Sequence, residues 1–169
     1  MLKLRKTLES DLDVIMGFVR DAQSYLQYNN VEQWQNNYPN ESVFMQDIAK
    51  GESYIVENNG EVLGTIAASF SPEPTYEKIF DGEWLTNSNY VVLHRITVDS
   101  KYKGTGLAAF MFECIKNICL DKNVFSIKVD THKNNSAMTS CLKKNGFIYC
   151  GVIYLHCGSE RVAFEKVLK

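Results

Sequence analysis

Apolar and polar positions follow two periods along this chain. Leu2 and Leu4 alternate with Lys3 and Arg5, as on a strand with one buried face, over Leu2 to Lys6. Leu12, Ile15, Met16, Val19, Ala22 and Leu26 then recur at the three-and-four spacing of one helix face. Ser10 is placed to cap that helix, Asp11 and Asp13 suit its dipole, and Tyr28-Asn29-Asn30 suits its end. Asn40 predicts the cap of a second helix running to about Lys50, with Gly51 as its stop. The next two predicted strands, Ser53 to Glu57 and Glu61 to Ser69, face each other across Asn58-Asn59-Gly60, a strong hairpin signal. A short helix is predicted over Tyr76 to Leu85.

Further on, Leu93, Ile96, Thr97 and Val98 suit a half-buried strand. Gly104 and Gly106 follow as a tight turn, and Leu107, Phe110, Met111, Cys114, Ile115 and Ile118 return to helical spacing. Phe125 to Thr131 alternates as a strand. A strand, a helix and a strand in succession imply a parallel pair joined by a right-handed crossover. Asn134 or Asn135 can cap a helix through about Lys144, which Asn145-Gly146 closes. Phe147 to His156 and Arg161 to Leu168 make a last hairpin across Cys157-Gly158-Ser159-Glu160. With no repeats or linkers, the simplest assembly is one α+β domain over residues 1–169 with a mixed sheet.

Composition narrows the classes of function. A chain of 169 residues with 45% apolar residues buries an ordinary globular core. A net charge of −2 argues against a nucleic-acid or anionic-membrane partner, and no apolar run reaches spanning length. The start Met1-Leu2-Lys3-Leu4-Arg5-Lys6 is not a secretory signal. Cys114, Cys119, Cys141, Cys150 and Cys157 contain no Cys-x-x-Cys and read as reduced, semi-buried small hydrophobes of a cytoplasmic protein. His94, His132 and His156 show no ligand spacing with them, so no metal site is expected.

The candidate chemistry lies at Lys101-Tyr102-Lys103-Gly104-Thr105-Gly106-Leu107-Ala108. The first N–H groups of a helix lack intrahelical acceptors and carry partial positive charge, and the glycines let an anion approach them. Each charge-assisted hydrogen bond to a bound diphosphate is worth about 1.5–3 kcal/mol. A plain turn is the alternative. The spacing is neither a Rossmann fingerprint nor a Walker loop. Tyr28, Trp34 and Tyr38, in an aromatic, amide-rich stretch, are candidates to wall a substrate pocket; Trp34 equally suits an anchor between two helices. Glu83 suits a solvated charge better than a catalyst.

Two motifs in order resemble the GNAT superfamily of N-acetyltransferases over nearly the whole chain. Lys101-Tyr102-Lys103-Gly104-Thr105-Gly106 matches the family's Gln/Arg-x-x-Gly-x-Gly/Ala, with Lys in its first place. Asn135-Ser136-Ala137-Met138-Thr139-Ser140-Cys141-Leu142-Lys143-Lys144-Asn145-Gly146-Phe147 matches a second in spacing, with Leu142 where the family often has Tyr. The resemblance implies a three-layer α+β fold: a mixed, mostly antiparallel sheet of about seven strands, a central parallel pair and about four helices. It implies acetyl-CoA as co-substrate, with the diphosphate on the N–H groups of Lys103, Gly104, Thr105, Gly106, Leu107 and Ala108. The pantetheine arm is then expected along Ile96 and Val98, with Asn135 on the far side. It further implies transfer to a primary amine of a small molecule or peptide, with His94 as first and Tyr90 as second candidate base. Tyr28, Trp34 and Glu83 are the candidate acceptor contacts. A homodimer is allowed for, and a non-catalytic acyl-CoA-binding module on the same fold is the competing reading.

Overall fold

The computed structural model describes all residues 1–169. Seven strands form one sheet: β1 (Leu2–Lys6), β2 (Ser53–Asn58), β3 (Glu61–Ser69), β4 (Val91–Val98), β5 (Ser126–Thr131), β6 (Ile148–Tyr154) and β7 (Glu160–Val167). Their order is β1-β2-β3-β4-β5-β7-β6, and β4 with β5 is the parallel pair. Four α-helices accompany them: α1 (Leu12–Tyr28), α2 (Glu41–Ala49), α3 (Leu107–Asp121) and α4 (Ser136–Lys144). The expected mixed sheet, its parallel pair and its helices are therefore present. The parallel ladder is short: Val91 faces Ile127 and Val92 faces Lys128.

The backbone divides into two compact units, Met1–Ala68 with His94–Cys114, and Ser69–Leu93 with Ile115–Lys169. In the first unit, Leu12, Ile15 and Val19 of α1 pack with Phe44 of α2 and Ile55 of β2, and Trp34 packs against this cluster. Asn40 caps α2 by accepting the Val43 N–H at 3.2 Å. Asn59 and Gly60 turn the β2–β3 hairpin in the left-handed region that Asn and Gly reach most easily. Ser10, however, does not cap α1. It lies in a 3-10 turn, Glu9–Asp11, which leads into the helix. Asp11 accepts the Leu8 N–H at 2.8 Å and binds the Arg5 guanidinium at 2.8 and 3.0 Å.

In the second unit, Tyr76, Val92, Ile153 and Ala163 form a core, with Trp84 and Tyr90 packed against it. The predicted helix over Tyr76 to Leu85 is absent. A 3-10 turn at Pro74–Tyr76 is followed by an irregular strap up to Tyr90. The strap takes its shape from distant residues. Glu165 of β7, wholly buried, accepts the Leu85 and Thr86 N–H groups at 2.6 and 3.3 Å and the Thr86 and Ser126 hydroxyls at 2.6 Å each. The Tyr76 hydroxyl donates to Asp130 at 2.7 Å, and the Trp84 indole donates to the Tyr76 carbonyl at 2.9 Å. The Lys128 ammonium lies 4.3 Å from the Trp84 ring centre and 4.2 Å from that of Tyr90. Burial lowers the Lys128 pKa against the opposing charge of Glu165.

Candidate functional site

The turn between β4 and α3 is built from local rules. The Asp99 carboxylate accepts the Lys101 N–H at 3.0 Å and starts a 3-10 turn, Ser100–Tyr102. The Asp99 N–H donates to Leu63 of β3 at 2.8 Å, which fixes the end of β4. A Cβ on Gly64 of β3 would stand 3.0 Å from the Thr97 carbonyl and 3.1 Å from Val98, so a side chain there would push β4 outward by a few tenths of an ångström. Gly104 and Gly106 have φ of +76° and +90°, and open space lies where their side chains would be.

The donors divide into two sets. The Lys103 N–H leans on Ser100 at 3.4 Å, and the Thr105 N–H and hydroxyl both go to the Tyr102 carbonyl, at 3.3 and 2.6 Å. Those two amides close the turn, although both stood among the expected phosphate donors. The amides of Gly104, Gly106, Leu107 and Ala108 make no such bond, and the first turn of α3 offers them no intrahelical acceptor. The first α3 amide engaged in this way is that of Phe110, to the Gly106 carbonyl at 3.0 Å. Gly104, Thr105 and Gly106 are exposed. Unpartnered amides at a helix N-terminus, beside glycines with open space, are what a diphosphate requires. The Lys103 ammonium sits 4.2 Å from the centre of the Tyr25 ring of α1. Tyr102 donates to Glu61 at 3.3 Å, and the charge of that carboxylate raises the phenol pKa.

Upstream, β4 is not a regular strand. Arg95 adopts φ +50° between His94 and Ile96, so the period of two that would put His94, Ile96 and Val98 of a regular strand on one side is interrupted. His94, Ile96 and Val98 are half-buried. The Arg95 guanidinium grips Asp47 of α2 with a two-pronged pair, Nε to Oδ2 at 2.6 Å and Nη2 to Oδ1 at 2.8 Å. Its Nη1 donates to the Tyr38 hydroxyl at 3.2 Å. The Arg95 and Asp47 side chains are 12% and 6% exposed. Burial works against the Arg95 cation, but its bond to Asp47 and the charge behind it prevail, and the pKa is raised.

The other candidates divide between the units. Tyr28 ends α1 and is 87% exposed, whereas Trp34 is half-buried against the α1–α2 core. In the second unit, Glu83 is exposed on the strap. Tyr90 accepts the Glu73 N–H on its hydroxyl at 3.1 Å and stacks on Tyr76 at 6.4 Å. Asn135 caps α4 through the Met138 N–H at 3.2 Å, and Leu142 is fully buried. The five cysteines are all thiols; Cys157 is exposed, and burial pushes Cys119 up to about 12.

Residues 18–147 match the model of the acetyltransferase (GNAT) family. The chain belongs to the GNAT acetyltransferase family. Both motif segments, Lys101–Gly106 and Asn135–Phe147, lie within the matched span. No curated protein matches the GNAT chain significantly in sequence. Solved structures do. A GNAT-family acetyltransferase from Streptococcus agalactiae 2603 is 26% identical, with TM-score 0.89, over 99% of this chain and 96% of that one. The PaiA N-acetyltransferase from Thermoplasma acidophilum, solved in complex with coenzyme A, is 16% identical, with TM-score 0.74, over 99% of both chains. Ard1 from Thermoplasma volcanium is 12% identical, with TM-score 0.71, over 99% of this chain and 98% of that one. The family implies acyl transfer. No helix of this GNAT chain is long and apolar enough to cross a membrane.

The buried Arg95–Asp47 pair at the candidate site's strand is a feature that sequence reasoning missed. The signal was one buried-type charge inside each apolar element: Arg95 within Val91–Val98, and Asp47 beside Phe44, Met45 and Ile48.

Proposed function

We propose that this chain, acting as one domain over residues 1–169, transfers an acetyl group from acetyl-CoA to a primary amine of a small molecule or peptide. The observation that carries the reading is the row of open donors at Gly104, Gly106, Leu107 and Ala108, at the positive end of α3. These amides hold the diphosphate, with Lys103 adding charge. Backbone groups of Ile96 and Val98 align the pantetheine arm, and Asn135 contacts it.

An ordinary alkylamine has a pKa of ~10.4, so presenting it neutral at pH 7 costs about 4–5 kcal/mol. His94 takes its proton, directly or through one water. Tyr90 is the weaker base, because its hydroxyl already accepts the Glu73 N–H and a phenol is a poor base at neutral pH. The amine nitrogen then attacks the thioester carbonyl, the C–N bond forms, the C–S bond breaks, and the second proton shed by the nitrogen passes through water to the departing thiolate, so that coenzyme A leaves as its thiol. A backbone N–H near Val98 stabilises the developing oxyanion. The acceptor is met by Tyr28 and Trp34, with Glu83 as its countercharge. The reaction takes place in the cytoplasm, without metal or nucleic acid.

One observation favours a second reading, a non-catalytic acyl-CoA-binding module. Leu142 is buried where the family often carries a tyrosine, so no hydroxyl stands there to protonate the leaving thiolate. Release of coenzyme A over a panel of amines separates the two. Turnover that rises with one amine and falls in His94→Ala supports transfer, whereas turnover that no amine raises above background supports the module.

A further inference from the structure

Arg95 holds a conformation that a side-chain-bearing residue avoids, in the middle of β4. A left-handed φ on a non-glycine residue is unfavourable and persists only where the surroundings over-determine it. Here they do. Two bonds reach Asp47 on α2, and one reaches Tyr38 on the segment joining α1 to α2. That segment is itself tied down, since Gln23 of α1 donates to the Tyr38 carbonyl at 2.9 Å and Trp34 packs on the α1–α2 core. One guanidinium therefore joins a strand, a helix and a loop. Rotation at Arg95 turns the peptide groups between His94 and Ile96 away from the directions they take in a regular strand.

We propose that the Arg95–Asp47 pair is a positioning latch for the pantetheine arm. By holding Arg95 left-handed, it aims the backbone groups around Ile96 at the arm, and it couples that aim to the loop bearing Tyr38. Neither side chain touches the reacting atoms; both act through the β4 backbone. The inference rests on the coenzyme A reading above. It adds that grip on the arm is set from α2, independently of grip on the phosphates, which are held at α3.

The test titrates two probes, coenzyme A and adenosine 3′,5′-bisphosphate, the latter carrying no pantetheine, against wild type, Asp47→Asn and Arg95→Lys. Asp47→Asn keeps the shape and removes the charge; Arg95→Lys keeps the charge and removes the fork. The latch predicts that Asp47→Asn loses affinity for coenzyme A by at least about tenfold, that Arg95→Lys loses less, and that bisphosphate affinity stays within about twofold in both. A merely structural defect moves both probes together. Should Asp47→Asn fail to fold, Arg95→Gly combined with Asp47→Ala leaves no charge buried alone and supplies a residue at ease with a left-handed φ. The same split is expected there, because glycine permits the conformation without enforcing it. Parallel loss of both probes, or unchanged affinity for both, overturns the latch while leaving the coenzyme A reading standing. Wild-type protein that binds neither probe removes that reading and the latch with it.

Discussion

Two irregular segments of this molecule solve opposite problems. The strap over residues 77–90 has its polar groups drawn inward: the Leu85 and Thr86 amides go to Glu165, and the Trp84 indole goes to Tyr76. The turn over residues 99–108 uses the amides of Lys101, Tyr102, Lys103 and Thr105 for its own closure and leaves those of Gly104, Gly106, Leu107 and Ala108 open. Satisfied donors make the first a piece of architecture. Unpartnered donors beside the exposed Gly104 and Gly106 make the second the place proposed for a ligand's acceptors. Substitutions that remove the strap's anchors should thus change stability, and substitutions in the turn should change binding.

The largest effect expected is at Glu165. Glu165→Ala leaves buried donors without an acceptor and should cost about 4 kcal/mol in chemical denaturation. A loss below about 1 kcal/mol would show that the strap does not depend on that carboxylate. Next comes Gly106→Trp, which should reduce coenzyme A affinity by at least about a hundredfold, with a stability cost of about 1–3 kcal/mol from forcing a side chain into the left-handed φ of +90°. If titration calorimetry showed affinity retained, the division between the two segments would fail. Tyr76→Phe removes the donor to a buried carboxylate and should cost about 1–3 kcal/mol, with coenzyme A affinity unchanged.

The smallest effect is in pH dependence. Burial raises the Asp130 pKa, against the opposing Tyr76 bond. A carboxyl raised in the folded state contributes stability that is fully present below its unfolded pKa of ~3.9 and is lost as pH rises through the folded value. Asp130→Asn, which cannot ionise, should therefore gain on wild type across that window in denaturation series at stepped pH. A difference that does not change with pH there would remove the assignment.

The same contrast explains what the sequence makes legible. The β2–β3 hairpin, the Asn40 and Asn135 caps and the glycine turn before α3 are set by residues within a few positions of one another, and each is present. The strap was misread as a helix because its shape is dictated by Glu165, some 80 positions away. Ser10 was misread as a cap because Asp11, anchored to Arg5 of β1, shapes the entry to α1. Arg95 escaped notice for a similar reason: alternation predicts a plain strand, and the residue it pairs with, Asp47, lies 48 positions away. Of the candidate site, the glycine turn before α3 could be read directly. Which of its amides remain open could not, because that depends on the Ser100 and Tyr102 carbonyls meeting Lys103 and Thr105 in three dimensions.

The most direct measurement is a titration of the 15N-labelled protein with coenzyme A, followed at the backbone amides of the turn. The account predicts that Gly104, Gly106, Leu107 and Ala108 show the largest downfield proton shifts at saturation, as new charge-assisted bonds form, with Lys103 and Thr105 moving less. Coenzyme A that binds while those four signals stay in place, or that does not bind at all, would contradict it.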